Sequence, residues 1–296
     1  MVIAHAFATE STGLPVVLAS VLAVVALIYC RGWFHLRRFV PQIASPWRPS
    51  ALLGGVLAVW VAVGSPLAAY DEELLSAHMV QHLLLSAAAA PLLLLGAPLV
   101  PLLHGMPWIV LRGLATVFRW PPARALGRML VQPAVCWSVA MAVFIGWHTP
   151  ALFDLALRSE RWHAVEHASF LASGLLFWWP VVQPWPSKAT WPRWSIPLYL
   201  FMATLPCDAL SAFLAFSDRV VYRGYLSAAH HIDPTALQDQ ERAGALMWLT
   251  VTIAYVIPAA VITIRVLSPE RAQSSRPSRD SVRTIAMHAR DRDEVA

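Results

Sequence analysis

The chain has 296 residues, of which 58% are hydrophobic and only 13% are charged. Soluble domains carry about 25% charged residues, so too little polar surface remains here to cover a soluble fold of this size. Such high hydrophobicity also excludes disorder for the main body. The remaining class is a protein that crosses a membrane several times. The three cysteines form no C-x-x-C pair, which argues against a disulfide scaffold or a Cys-built zinc knuckle.

Seven segments are predicted to be transmembrane helices, because each is apolar over about the 20 residues that a bilayer requires. They lie near 14–30, 51–69, 74–95, 131–147, 163–182, 195–216 and 243–266. The predicted fold is therefore an all-α bundle of seven transmembrane helices within residues 1–267. Prolines 91 and 98 predict that the third helix ends there, with 96–108 as a short interfacial or re-entrant piece. Residues 268–296 are predicted to form a disordered, basic cytoplasmic tail that contacts anionic lipid.

The basic residues predict the orientation of this bundle. Of the 22 lysines and arginines, 17 fall on the side of connections 31–50, 96–130 and 183–194 and of the C-terminal tail. Cytoplasmic loops are enriched in Lys and Arg, so the N-terminus is predicted outside and the C-terminus in the cytoplasm. The formal charge of +5 is thus interpreted as a topology signal, and no nucleic-acid partner is expected.

Five of the 11 histidines are predicted to gather near the outer ends of three helices. The third span begins outside with His78 and His82, the fourth ends there at His148, and the fifth begins there with His163 and His167. Each pair is four residues apart, so its two side chains share one helix face, with Cβ atoms about 5–6 Å apart. Both pairs follow the pattern H-x-x-[QE]-H.

This clustering predicts a metal site that opens outward. Ionisable residues within a membrane are costly and mark functional positions, and imidazole is a ligand for copper, zinc, iron and nickel. Asp208, in the outer half of the sixth span, is added to the five histidines as a candidate ligand. Gln81 and Glu166, inside the two pairs, are expected to orient the ligating imidazoles. Nearby Met and Cys residues favour copper, with zinc as the alternative metal.

Two other functions fit parts of the pattern. His163-x-x-Glu166-His167 has the order of the inverted zinc peptidases, in which Glu activates a zinc-bound water and a distal carboxylate such as Asp208 or Asp239 would be the third ligand. A haem b protein would use one His from each of two facing helices. A proton channel is disfavoured because the cytoplasmic halves of the spans lack ionisable relays. A metal handler without enzymatic activity is the preferred interpretation.

The chain resembles the seven-helix CtaG-type cytochrome c oxidase assembly factors of bacteria. The resemblance runs over about 70–266, through the stretches 77–84, 91–98, 147–150, 163–180, 206–210, 216–222 and 239–248. It implies a multi-pass protein of the bacterial inner membrane that is needed for making active haem–copper oxidase. It further implies that the five histidines bind copper, with an oxidase subunit or a periplasmic copper carrier as partner. The oligomeric state is not predicted. Asp239, Gln240, Asp218 and Tyr222 are expected to shape the rim or a docking surface, or simply to cap helices and solvate loops.

Overall fold

The computed structural model describes residues 13–40, 45–187, 191–226 and 235–268. All regular structure within these ranges is helical, as predicted, and they contain no β-strand. The predicted tail, apart from Ser268, lies outside the described residues. The helices are α1 (Gly13–Leu36), α2 (Trp47–Gly64), α3 (Leu75–Leu95), α4 (Leu99–Gly105), α5 (Trp108–Arg119), α6 (Pro121–Leu130), α7 (Pro133–Trp147), α8 (Pro150–Leu157), α9 (Glu160–Val182), α10 (Ser195–Phe216) and α11 (Ala236–Leu267).

Five of the described helices are long and apolar enough to cross a bilayer: α1, α2 with the short 3-10 helix that follows it, α3, α10 and α11. The number becomes six if α6 and α7, which meet at a 75° bend, form one broken span. Helix α9 covers the fifth predicted span, but polar residues such as Glu166 and His167 make it less apolar than these five. The membrane character is supported, whereas the count of seven and the orientation of the termini stay predictions.

Local sequence explains where several helices begin. Proline occupies the first position of α6, α7 and α8, where its missing N–H costs no hydrogen bond and its fixed φ suits a helix. Helix α11 begins with a capping box, in which Thr235 Oγ accepts from the Gln238 amide and the Gln238 side chain accepts from the Thr235 amide. This cap starts α11 seven residues before the predicted position 243.

The predicted short piece at 96–108 contains α4, which packs against α1. Two glycines allow the two backbones to touch: a Cβ on Gly105 would lie 1.9 Å from the Ile28 carbonyl oxygen, and one on Gly32 would lie 1.8 Å from that of Pro101. Real Cβ atoms do not approach this closely, so α1 and α4 must separate if either position carries a side chain. The sequence pattern alone did not predict this close pairing.

The close contact between α1 and α4 predicts that an added side chain at Gly105 destabilises the protein. We expect Gly105→Ala to lower the thermal midpoint of the detergent-solubilised protein by several degrees, since overpacking costs roughly 1–3 kcal/mol. Gly113→Ala on exposed α5 is the control, because an added Cβ there meets nothing within 4 Å, and alanine is the better helix former. Tryptophan fluorescence during heating measures both. Equal midpoints for the two variants would contradict the close approach.

The surface and the core divide as a membrane environment requires. Large apolar side chains are exposed along the long helices, for example Val24 and Leu27 on α1, Phe213 on α10, and Ile257 on α11. An exposed apolar surface on this scale is typical of contact with lipid. One buried apolar cluster lies around Phe177 and joins α7, α9 and α10. A second buried cluster lies around Phe153, in a region where several helices begin or end. We call this second region the histidine end: there α3, α9 and α11 begin and α7 and α10 end.

Candidate metal centre

Five imidazoles meet at the histidine end. The ring centroids of His78 and His82 are 4.4 Å apart, and those of His163 and His167 are 4.3 Å apart. The two pairs face each other, with 5.2 Å between His78 and His163 and 5.6 Å between His82 and His167. His148, at the end of α7, completes the group at 6.2 Å from His82. The convergence expected from the i, i+4 spacing is thus present, and we call these five rings the histidine cluster.

Glu166 lies inside the histidine cluster. Its Oε2 is 3.6 Å from His78 Nε2 and its Oε1 is 3.5 Å from His82 Nε2, and the side chain is completely buried. These separations are longer than the 2.7–2.9 Å typical of a charge-assisted hydrogen bond. They are close to the roughly 3.3–3.4 Å that separates two ligands of one tetrahedral ion with bonds of about 2.0–2.1 Å. One ligand atom from each of His78, His82 and Glu166 lies within 4.8 Å of the others.

The cluster leaves an unusual number of buried polar atoms without hydrogen bonds. Seven imidazole nitrogens, including Nδ1 and Nε2 of both His78 and His82, have no partner among the described residues. The two Glu166 oxygens are also without one. Buried polar atoms are nearly always paired, so such a concentration of free donor and acceptor positions marks a place for a ligand. Nitrogen and carboxylate lone pairs that converge at these distances fit a transition-metal ion.

His148 is held in a defined tautomer. Its Nδ1 is 2.7 Å from the Phe144 carbonyl oxygen, which can only accept, so Nδ1 carries the proton. Nε2 is therefore left with its lone pair free for a metal. The carbonyl of His148 in turn accepts from the Tyr222 hydroxyl at 3.0 Å. Burial raises the pKa of Tyr222 above its usual range, which keeps this donor protonated.

Asp71 is a member of the site that the sequence did not reveal. It lies before α3, is 5% exposed, and accepts a hydrogen bond from Gln81 Nε2 at 3.2 Å. The same oxygen, Oδ2, is 3.6 Å from His163 Nε2. Its carbonyl accepts from the Tyr225 hydroxyl at 2.7 Å. The sequence signal that could have found it is the acidic run 71–73, which ends five residues before His78.

Asp208 does not join the cluster. Its neighbour Cys207 is buried against Tyr255, whereas Asp208 is only partly buried, and its Oδ1 has no hydrogen-bond partner among the described residues. Successive helix residues point about 100° apart, so the rotation of α10 that turns Cys207 inward turns Asp208 away. Five of the six predicted ligands thus meet, and Glu166 and Asp71 lie beside them.

The residues expected at the rim have mainly structural contacts. Asp239 accepts from the Ser76 hydroxyl at 2.5 Å and from the Ser76 amide at 3.2 Å, and so caps α3 from α11. Gln240 accepts from the Val221 amide and donates to the Arg219 carbonyl, which ties down the loop after α10. Tyr222 stacks on Phe153 with 4.0 Å between centroids. Asp218, beside Arg219, is fully exposed.

A π-helical turn at Leu84–Ala89 begins two residues after His82. Such turns are rare and often lie at functional positions, because one extra residue changes the direction in which the next side chains point. Two hydrogen bonds hold it here: Ser86 Oγ donates to the His82 carbonyl at 2.7 Å, and Trp178 Nε1 donates to the Ser86 carbonyl at 2.9 Å. The turn therefore fixes the rotation of the His78–His82 face against α9.

The geometry bears on the two other sequence interpretations. The Glu166 carboxylate faces His78 and His82 of α3, rather than lying free beside a His163–His167 metal pair as a peptidase base would. For haem, the imidazoles touch one another, and the cavity that adjoins His82 and His148 measures about 40 Å³. Pockets that hold ligands as large as haem have volumes of roughly 300–1,000 Å³.

An all-helical membrane protein with a buried cluster of imidazoles at one end is the class that fold and site define. Residues 27–268 match the family of cytochrome c oxidase caa3 assembly factors, Caa3_CtaG, and the chain belongs to this family. The resemblance seen in the sequence is thereby confirmed.

The curated relatives are distant and longer. An uncharacterized protein of Mycobacterium bovis is 25% identical over 277 residues, which cover 86% of this chain and 39% of that protein. An uncharacterized protein of Mycobacterium leprae is 22% identical over 270 residues, with 86% and 38% covered. This chain thus spans about two fifths of the length of the curated relatives it matches. No solved structure matches it.

Proposed function

We propose that the protein binds copper at the histidine cluster and delivers it to the metal centres of cytochrome c oxidase during assembly of that enzyme. The observation that carries the proposal is the set of buried imidazole nitrogens and Glu166 oxygens that face one another without hydrogen bonds. Membership in the oxidase assembly family supports the destination of the metal. Zinc is the second metal that this ligand set suits.

Delivery requires that ligands can be exchanged one at a time. The cluster offers more donors than one ion uses, because neighbouring imidazole centroids are 4.3–6.2 Å apart and the Glu166 carboxylate lies 3.5–3.6 Å from two of the rings. An ion can therefore move from one subset of ligands to the next without losing all its bonds. Partial exposure of His163, 21% for its side chain, provides a way in from the histidine end.

The predicted orientation decides which partner is reached. With the N-terminus outside, the histidine end faces the periplasm of a bacterial inner membrane, where a copper carrier or an oxidase subunit with an exterior metal centre would dock. The preference of Lys and Arg for the cytoplasmic side supports this orientation. Function as a metal handler, rather than as an enzyme, agrees with the carboxylate contacts of Glu166.

Two measurements test the proposal: the metal content of the purified protein and the copper content of the oxidase. Purified protein without a histidine tag is expected to hold at least one equivalent of copper or zinc by elemental analysis and to show no Soret band. Cells that lack the protein are expected to contain oxidase with reduced copper content. Metal-free protein that cannot be loaded, or oxidase with normal copper in the deletion strain, would refute the proposal. A Soret band would support haem b instead.

A further inference from the structure

Two adjoining cavities lie deeper in the bundle, next to the histidine cluster. The first measures about 40 Å³, and His82 and His148 form part of its wall. The second measures about 50 Å³ and extends further along α7 and α9. Cys207 lines both cavities. A cavity needs only about 10–15 Å³ to admit one water molecule, so each can hold a monatomic ion.

The walls of these cavities are rich in sulfur. Met79 of α3 and Met247 of α11 line the first cavity with Cys207 of α10, and Met141 of α7 lines the second. All four side chains are at most 5% exposed. Thioether and thiol sulfur are soft donors, which favour Cu(I). The histidine cluster itself contains only nitrogen and oxygen donors.

A second observation points to a ligand in the first cavity. His82 and His148, both more than nine-tenths buried, line it with ring nitrogens that have no hydrogen-bond partner among the residues described: both nitrogens of His82 and Nε2 of His148. Cys207 and Tyr255, which also line the cavity, are joined by a hydrogen bond between their side chains. The cavity thus has unpaired imidazole nitrogen on one side and sulfur on the other.

We propose that this cavity is a second metal site, specific for Cu(I), with Met79, Met247 and Cys207 as sulfur ligands and His82 or His148 as nitrogen ligand. Copper enters as Cu(I), so no electron is transferred; if the Cys207 thiol binds as thiolate, one proton leaves the protein for each ion bound. Because His82 belongs to both sites, an ion can pass between them without leaving its ligands. The site depends on the proposed function only for the destination of the copper.

Silver provides a probe that separates the two sites. Ag(I) is a soft monovalent ion like Cu(I) but does not change its oxidation state in air. We expect the full chain in detergent to bind one Ag(I) with sulfur neighbours in its X-ray absorption spectrum. The double variant Cys207→Ser, Met247→Leu should bind Ag(I) at least tenfold more weakly and should retain Zn(II) at the histidine cluster. Both replacements conserve volume closely, so the fold should survive.

Two further variants make the result decisive. The control Cys30→Ser, Met202→Leu changes the same residue types outside the cavities and should bind Ag(I) like the unchanged protein. His163→Ala with His167→Ala, whose side chains do not line the first cavity, should lose Zn(II) and keep Ag(I). If the unchanged protein binds Ag(I) but does not bind Zn(II), only the histidine-cluster function is refuted. Unchanged Ag(I) affinity in Cys207→Ser, Met247→Leu, or nitrogen and oxygen neighbours alone, would overturn the sulfur site.

Discussion

Replacing His82 and His167 together by alanine is expected to reduce Zn(II) binding at the histidine cluster to background. The two rings are 5.6 Å apart and come from α3 and α9, so the variant removes a nitrogen donor from each side of the histidine cluster. Loss of residues that merely orient ligands costs 10–100-fold in metal affinity. Loss of two ligands should therefore weaken binding on the order of 100-fold or more, which a competition titration against a coloured chelator measures.

The control for this variant is His35→Ala with His104→Ala. These side chains lie on α1 and α4, are exposed, and are not members of the cluster. The control should retain its metal and its thermal midpoint. If His82→Ala, His167→Ala binds metal as well as this control does, the five imidazoles are packing residues and the copper proposal fails.

Glu166→Gln is expected to weaken metal binding about 10–100-fold while the protein stays folded. Glutamine has the same size but no charge, and Glu166 is the carboxylate that faces both His78 and His82. A buried cation bound only by neutral imidazoles lacks a compensating charge, which is costly at low dielectric. Glu160→Gln, in the exposed first turn of the same helix, is the matched control and should have no effect.

The same variant distinguishes a metal carrier from a peptidase. A catalytic base can be replaced by glutamine with the metal retained and the reaction abolished. A ligand or charge partner behaves in the opposite way, because the metal is lost first. Unchanged metal affinity in Glu166→Gln, together with loss of a proteolytic activity, would therefore revive the H-x-x-E-H interpretation and contradict the role assigned to Glu166 here.

Much of the fold and part of the site could be predicted because they depend on local periodicity. A run of about 20 apolar residues must form a helix in lipid, since every backbone N–H and C=O must be paired within the segment. The predicted segment 195–216 accordingly coincides with α10, Ser195–Phe216. The i, i+4 spacing also determines that His78 and His82 share a face, whatever the neighbouring helices do. Family membership was visible in the same way, from short linear stretches.

The rest of the site depends on how each helix is rotated against its neighbours, which periodicity does not specify. On α10 the sequence does not decide whether Cys207 or Asp208 faces the interior of the bundle. The packing of Gly244 against the Ser211 carbonyl and the Ala215 amide turns Cys207 inward.

Asp71 could not be placed from sequence because it lies in a connection, where no periodicity restricts direction. The hydrogen bonds that it accepts from Gln81 and Tyr225 hold it beside His163. Sequence alone thus determined the class of protein, its helices and the faces that carry imidazoles. Tertiary structure decided which residues from separate helices and loops meet, because that choice depends on side-chain packing between segments far apart in the chain.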